Sequence, residues 1–388
     1  VPGIFSIGLQ LLITALEDTM KRPAAAITFA ASLVLATSIN AAAQTSHPSN
    51  AQRALQWLQC TQQQPNGQIG SSGNAIARSS EVALSLAAAG QDASAMRNGP
   101  SSLADFLKSA TSSDVGTNGE LLMARASQPS AGPTATLATQ LQATKGANGE
   151  YGGDIFSDAL AILGLRSAGQ TVGADAVAYL TSQQKSSGGW SFDNADQYGE
   201  DSNTTALVMQ ALLSAGVATD DAAITGGFTY LQSVFNHGGF GDAPGLRPDP
   251  NSDELGIFAI VAAHRQTDLI WGPRLEQAIQ DLASQQISSG PDAGAIASQF
   301  SKLFTTTYAP SAFLLRALTQ TGLAEGKVQL LPCPAWVVAA PTPTPVTPVL
   351  AQTGGPPGDP DSRLALTGLM FLAAGLGILR RRLRGRRR

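Results

Sequence analysis

Five times between residues 80 and 322 an apolar, alanine-rich run closes on a glycine or on a residue standing in for one. The endings are Leu86-Ala87-Ala88-Ala89-Gly90, Arg166-Ser167-Ala168-Gly169, Leu213-Ser214-Ala215-Gly216, Ala262-Ala263-His264 and Ala317-Leu318-Thr319-Gln320-Thr321-Gly322. A fainter copy ends near Gly132. Spacings of about 37 to 58 residues fit a helix pair with a variable loop, and such a unit buries its apolar face only by stacking on its neighbours. The chain therefore reads as all-α repeats. With 43% hydrophobic residues in 388 it has ample material for a core.

Each unit carries a second signal. The clearest copy runs from Tyr179-Leu180 through Gln184 to Gly188-Gly189-Trp190. Echoes are Trp57-Leu58 with Gln63 and Gly67, Leu141 with Lys145, Gly149 and Tyr151, Tyr230-Leu231 with Gly239-Phe240, and Ala283 with Gln286 and Gly290. The glycines permit left-handed turns after a helix, and the glutamine can bond exposed backbone groups there. The aromatic is free to reach the neighbouring unit.

On these residues the chain, over about residues 51–322, resembles the prenyltransferase and squalene-cyclase repeat superfamily. The resemblance implies an α/α toroid of about six helix pairs. The second helix of each pair would form the inner ring: Ser80 to Ala89, Ala159 to Ala168, Thr205 to Ala215, Leu255 to Ala263 and Ala312 to Thr319. A ring that closes brings the first unit beside the last, which would give a Cys60–Cys333 disulfide a geometric reason; two buried free thiols are the alternative.

Aligning the units on their closing residues stacks Ser79, Asp158, Thr205, Asp253 and Ser311 at the starts of the inner helices. Asp154, Glu200, Asp201, Asn203 and Glu254 lie nearby, and Trp190, Asp193, Asp196, Asp242 and Asp249 occupy the preceding loops. One mouth of the central cavity would thus be acidic. Helix capping explains Asp, Ser, Thr and Asn at such positions equally well. As ligand or cavity candidates the reading singles out Asp154, Asp158, Trp190, Asp193, Asp201, Asn203, Asp253 and Glu254.

The enzymes that the resemblance suggests lack their strings here. No Asp-x-Asp-Asp acid of class II terpene cyclases, no Asp-x-Cys zinc set of protein prenyltransferases and no Gly-Cys-Gly-Glu-Gln thioester occurs. Three histidines without metal-like spacing and two cysteines offer no metal site, and no cofactor is expected. A noncatalytic module binding a small molecule, glycan or protein is the leading reading. One alternative is a carbohydrate-active or terpenoid cyclase-like enzyme in which Asp158, Asp201 and Asp253 converge and Trp190 serves as a sugar platform; another is a structural spacer. The body is acidic, so nucleic acid is not an expected partner.

The termini carry an address. Lys21-Arg22, the apolar run Ala24 to Ala36 and Ala41-Ala42-Ala43 before Gln44 have the order of a secretory signal peptide, with Met20 as the expected initiator, so that residues 1–43 comprise an upstream segment and the signal peptide. The repeat domain is expected over 44–335. The stretch 336–363 contains the Pro/Thr run 341–348, read as an extended, disordered spacer, and then Leu350-Ala351-Gln352-Thr353-Gly354. An apolar helix from Leu364 to Leu379 and seven arginines complete residues 364–388. This order resembles the sorting signal of bacterial wall proteins. It implies a membrane sortase and a cell-wall amine as partners, membrane contact through the C-terminal helix before processing, and an extracellular address, anchored to the cell wall or, if the segment is an ordinary tail anchor, to the membrane.

Overall fold

A computed structural model describes residues 46–334 apart from 72–73, 195–198, 299 and 327. The signal peptide, spacer, sorting motif, apolar anchor, arginine tail and Asp196 lie outside the described residues. These are mostly helical, and none of their helices is long and apolar enough to cross a membrane.

Two kinds of helix alternate along the chain. The covering helices are α1 (Pro48–Trp57), α3 (Leu103–Ser109), α5 (Ala135–Gln142), α7 (Ala174–Ser182), α9 (Ala222–Val234) and α11 (Trp271–Ser284). They bury one stripe only; in α11 this is Trp271, Leu275, Ala278, Ile279 and Leu282. The core helices are α2 (Ala75–Ala88), α4 (Val115–Ser127), α6 (Ile155–Ser167), α8 (Ser202–Ser214) and α10 (Pro250–Ala262), with the short pair α12 (Lys302–Thr307) and α13 (Ala309–Phe313). These are buried nearly all round, as alanine-rich sequences without a polar face must be. Each core helix packs on the next, and α13 packs on both α10 and α2, so the last member of the series also touches the first.

Backbone approach is closest between α4 and α6. A Cβ on Gly119 would lie 2.3 Å from the Leu160 carbonyl oxygen, and one on Gly164 would lie 2.5 Å from that of Gly119. That glycine pair replaces the alanine-rich signature in α4 and explains why the second repeat is faint in the sequence.

The units are joined by a recurring lock. The Gln184 side-chain amide donates to the carbonyls of Gly188 and of Ala223 in the following covering helix, both at 2.8 Å. Gln63 makes the same bridge to Gly67 and Met96. Gln286 makes it to Gly294 and to Asn50 of α1, both at 2.9 Å. The last unit therefore docks on the first with the bonds that join units inside the chain. Gly188 and Gly294 have φ of 92° and 99°, and their Cα atoms press on the Gly226 and Arg53 carbonyls, so a side chain at either would collide with backbone. The turn in the last unit is made by Gly294, four residues after the expected Gly290.

A strap formed by residues 323–326 and 328–333 runs back over α1 and α2. Ala324 and Val328 donate their amides to the Ala87 and Ala89 carbonyls, and Gln52 and Gln56 donate to the Gln329 and Pro332 carbonyls. It ends at a disulfide between Cys333 and Cys60, with Cα atoms 5.3 Å apart.

The last core segment differs from the expected helix Ala312 to Thr319. Its two helices end at Phe313, and Leu315, at φ 56°, takes the left-handed turn that Gly90, Gly169 and Gly216 take elsewhere and that His264 takes after α10. A non-glycine residue in that turn leaves no glycine to mark it, so aligning the unit on Gly322 displaces its register.

Candidate functional site

The acidic residues expected around one mouth are occupied with holding the fold. Asp114, Asp154, Asp201 and Asp249 are the N-caps of α4, α6, α8 and α10, each accepting the amide of the Thr or Ser three residues on at 2.7–3.1 Å. Burial raises Asp154 despite those bonds, and the Asp114 and Asp193 carboxylates add to the rise. Burial and the neighbouring Asp242 push the cap Asp201 up to about 7. Asn203 donates to Asp242 at 3.3 Å. Asp193 is half-buried.

One turn further in, a second set staples the loop of each unit to its core helix. Ser79 accepts the amide of Ile69 at 2.9 Å, Thr205 that of Trp190 at 3.0 Å and Asp253 that of Phe240 at 2.7 Å. Asp158 accepts from both Tyr151 and Gly152 at 2.6 Å. In the last unit the staple is Thr306, on the Ile296 amide at 2.9 Å, and not the expected Ser311, whose hydroxyl instead lies 3.2 Å from that of Ser85. These residues sit inside the helices, and the caps four or five residues earlier are the true starts. Asp158, pushed up to about 6 by burial, and Asp253, raised well above the usual range by burial, each serve their own unit. Asp158, Asp201 and Asp253 are thus committed separately to two staples and a cap, rather than gathered across a scissile bond. Trp190 is fully buried and its indole N–H donates to the Leu180 carbonyl at 2.7 Å, so it offers no sugar-binding face.

Glu254 is the exception among the sequence candidates. It is fully buried and neither carboxyl oxygen has a hydrogen-bond partner among the described residues. Its charge interacts with Glu81 and Arg78 of α2, and with Tyr308 between α12 and α13. This interior group escaped sequence reasoning apart from Glu254. Arg78 holds Glu81 at 2.6 Å and stacks over Phe304 at 4.6 Å, while the Thr307 hydroxyl donates to Glu81 at 2.6 Å. Glu120 of α4 reaches Glu81 carboxyl to carboxyl. Tyr308 lies edge-on to Phe258 with ring centres 5.6 Å apart, and its hydroxyl, like that of Ser80, has no partner among the described residues.

Register explains the gathering. Two residues past the staples stand Glu81, Leu160, Leu207, Leu255 and Tyr308, and Glu120 holds the same place in α4, counted from its cap. Three of these positions are polar and three are leucine. Three carboxyls thus share a buried space with one guanidinium. Burial raises Glu81 against the pull of Arg78. Burial and then Glu81 hold Glu120 well above the ordinary range, and burial and then Glu81 and Asp249 do the same to Glu254. Burial and the Glu120 charge raise Tyr308 in turn. Among the described residues no group of three or more His, Cys, Asp or Glu has the geometry to hold a metal ion.

The signal for this site was in the sequence: Glu81 precedes Val82-Ala83-Leu84 and Glu120 precedes Leu121-Leu122-Met123. A lone carboxylate in a helix apolar on every side has nowhere to go but inward. No protein-family model matches the chain, and no curated protein matches it either.

Proposed function

We propose that this chain is an exported, surface-anchored α/α toroid that binds a small ligand at its polar interior, and that it does so without catalysis. The toroid is supported by the return of the core series to its start and by the Gln286 lock, which repeats between last and first units the joint made by Gln184 within the chain. The single observation that carries the binding reading is Glu254, wholly buried with both carboxyl oxygens unpartnered. Leaving such a group unpaired costs on the order of 1–3 kcal/mol or more, and folds retain that cost mainly where another molecule completes the bonding. The acidic mouth, whose carboxylates are spent on caps and staples, gives way to this interior cluster as the ligand-facing region. Asn118 and Glu120 keep slight exposure, and the Arg78 side chain somewhat more, which marks the side of entry.

Export and anchoring rest on the terminal segments read from the sequence. Thr353→Ala is expected to move the protein from the wall fraction to the membrane or medium. Ligand binding is tested by native mass spectrometry and thermal shift on the folded protein, with Glu254→Gln as control. A Glu254-dependent bound species or stabilisation is expected.

One observation favours a catalytic reading. The Glu81 and Glu120 carboxyls meet in a buried setting that raises both, the direction a general acid requires. Turnover of any glycan or isoprenoid that is abolished by Glu120→Gln would select that reading over binding.

A further inference from the structure

We propose that the interior site receives a small organic ammonium ion carrying an apolar tail. This rests on the binding reading and adds the chemical class of the ligand.

The free hydrogen-bonding capacity decides the headgroup. Among the described residues both oxygens of Glu254 and the hydroxyls of Tyr308 and Ser80 have no partner, while Glu81, the third carboxyl beside Glu254 and Glu120, is already held by Arg78 and Thr307. In its ionised form Glu254 only accepts hydrogen bonds, and the hydroxyls accept readily. A primary ammonium brings three donors and no acceptor, which matches that set. A carboxylate or phosphate ligand would bring acceptors and negative charge to three glutamates answered by one guanidinium.

Charge points the same way. The groups facing Glu254 are Arg78 and Glu81 from α2, Asp249 from the N-terminus of its own helix, and Tyr308, with Glu120 of α4 beyond Glu81. Only Arg78 is cationic, and it is engaged. The metal alternative lacks a converging ligand set among the described residues. Leu160, Leu207 and Leu255, at the positions that carry Glu81, Glu120 and Tyr308 on the other helices, make the rest of that layer apolar and suit an alkyl chain. Burial raises Glu254 and Glu120, so an entering cation, which favours their ionised forms, is linked to proton release and binds more tightly as pH rises.

The test uses the folded, disulfide-bonded protein with hexylammonium chloride, 1-hexanol and sodium hexanoate, followed by thermal shift and calorimetry at pH 6 and pH 8. Saturable stabilisation by hexylammonium, stronger at pH 8, with little from hexanol and none from hexanoate, is expected. Glu254→Gln should weaken it about tenfold or more, and Tyr308→Phe, which keeps ring and shape, by a smaller factor. Equal effects of hexanol and hexylammonium, or undiminished hexylammonium binding to Glu254→Gln, would overturn the proposal. If hexanol or hexanoate bound instead in a Glu254-dependent way, the cation class would fall and the binding site would stand. If none bound and Glu254→Gln only stabilised the fold, both would fall. Should Glu254→Gln not fold, Tyr308→Phe decides alone: unchanged hexylammonium affinity counts against the site.

Discussion

At the scale of single residues, the buried carboxyls set how this fold responds to pH. Asp158, Asp253, Glu120 and Glu254 have folded values raised by burial, so the folded state holds protons that the unfolded chain releases. Their contribution is fully present below the ordinary carboxylate range and is lost as pH rises through the raised folded values, about 6 for Asp158. Exposed Asp105, Asp175 and Asp292, lowered by hydrogen bonds and nearby cations, act in the opposite sense at more acid pH. Chemical denaturation across pH 3 to 9 should therefore show a maximum near pH 4 to 5 and a decline towards neutrality. A stability that climbs from pH 5 to 8 would contradict the assignment. Glu254→Gln removes a carboxyl whose charge is costly to bury, and should stabilise the ligand-free protein at pH 8 by about 1–3 kcal/mol. This site was only partly legible in the sequence. Stacking the units on their closing glycines highlights polar residues that recur, and recurring residues are caps and staples. Arg78 has no counterpart in the other units, and Glu81 and Glu120 share a register place that is leucine in three of the others, so alignment passes over them, whereas burial in an apolar helix would have found them.

The individual elements owe their geometry to the lock and the staple. Gly188→Ala and Gly294→Ala each put a Cβ about 2 Å from a carbonyl oxygen at positive φ, and each should cost on the order of 2–4 kcal/mol, read from denaturant midpoints. Gly290→Ala, with open space around it, should cost about 1 kcal/mol. The contrast separates the residue that makes the joint from the one the sequence suggested. Gln63, Gln184 and Gln286 were legible because glutamine before a glycine-rich turn has a single task, satisfying carbonyls freed at a helix end. The last core helix was not, because Leu315 closes it in a conformation that a sequence pattern assigns to glycine. The faint second repeat has the converse cause: in α4 the alanine signature gives way to Gly119, where two backbones touch.

For the whole molecule, the question is how the two ends are held together. The Gln286 lock, the strap over α1 and α2, and the disulfide all act between residues more than 230 apart. Cys60→Ser with Cys333→Ser should lower stability by about 3–5 kcal/mol, as expected for a cross-link that closes nearly the whole domain. Gln286 should still hold α11 against α1 in that variant. The most direct measurement is thus the distance between spin labels at exposed Ser49 of α1 and Ser284 of α11, placed in the Cys60→Ser, Cys333→Ser background and read by double electron–electron resonance. A proposed toroid predicts one narrow distribution near about 20–25 Å, the reach of neighbouring helices plus label arms. A distribution centred at about 40–50 Å or beyond, the span of six helices laid side by side in an open row, would contradict it.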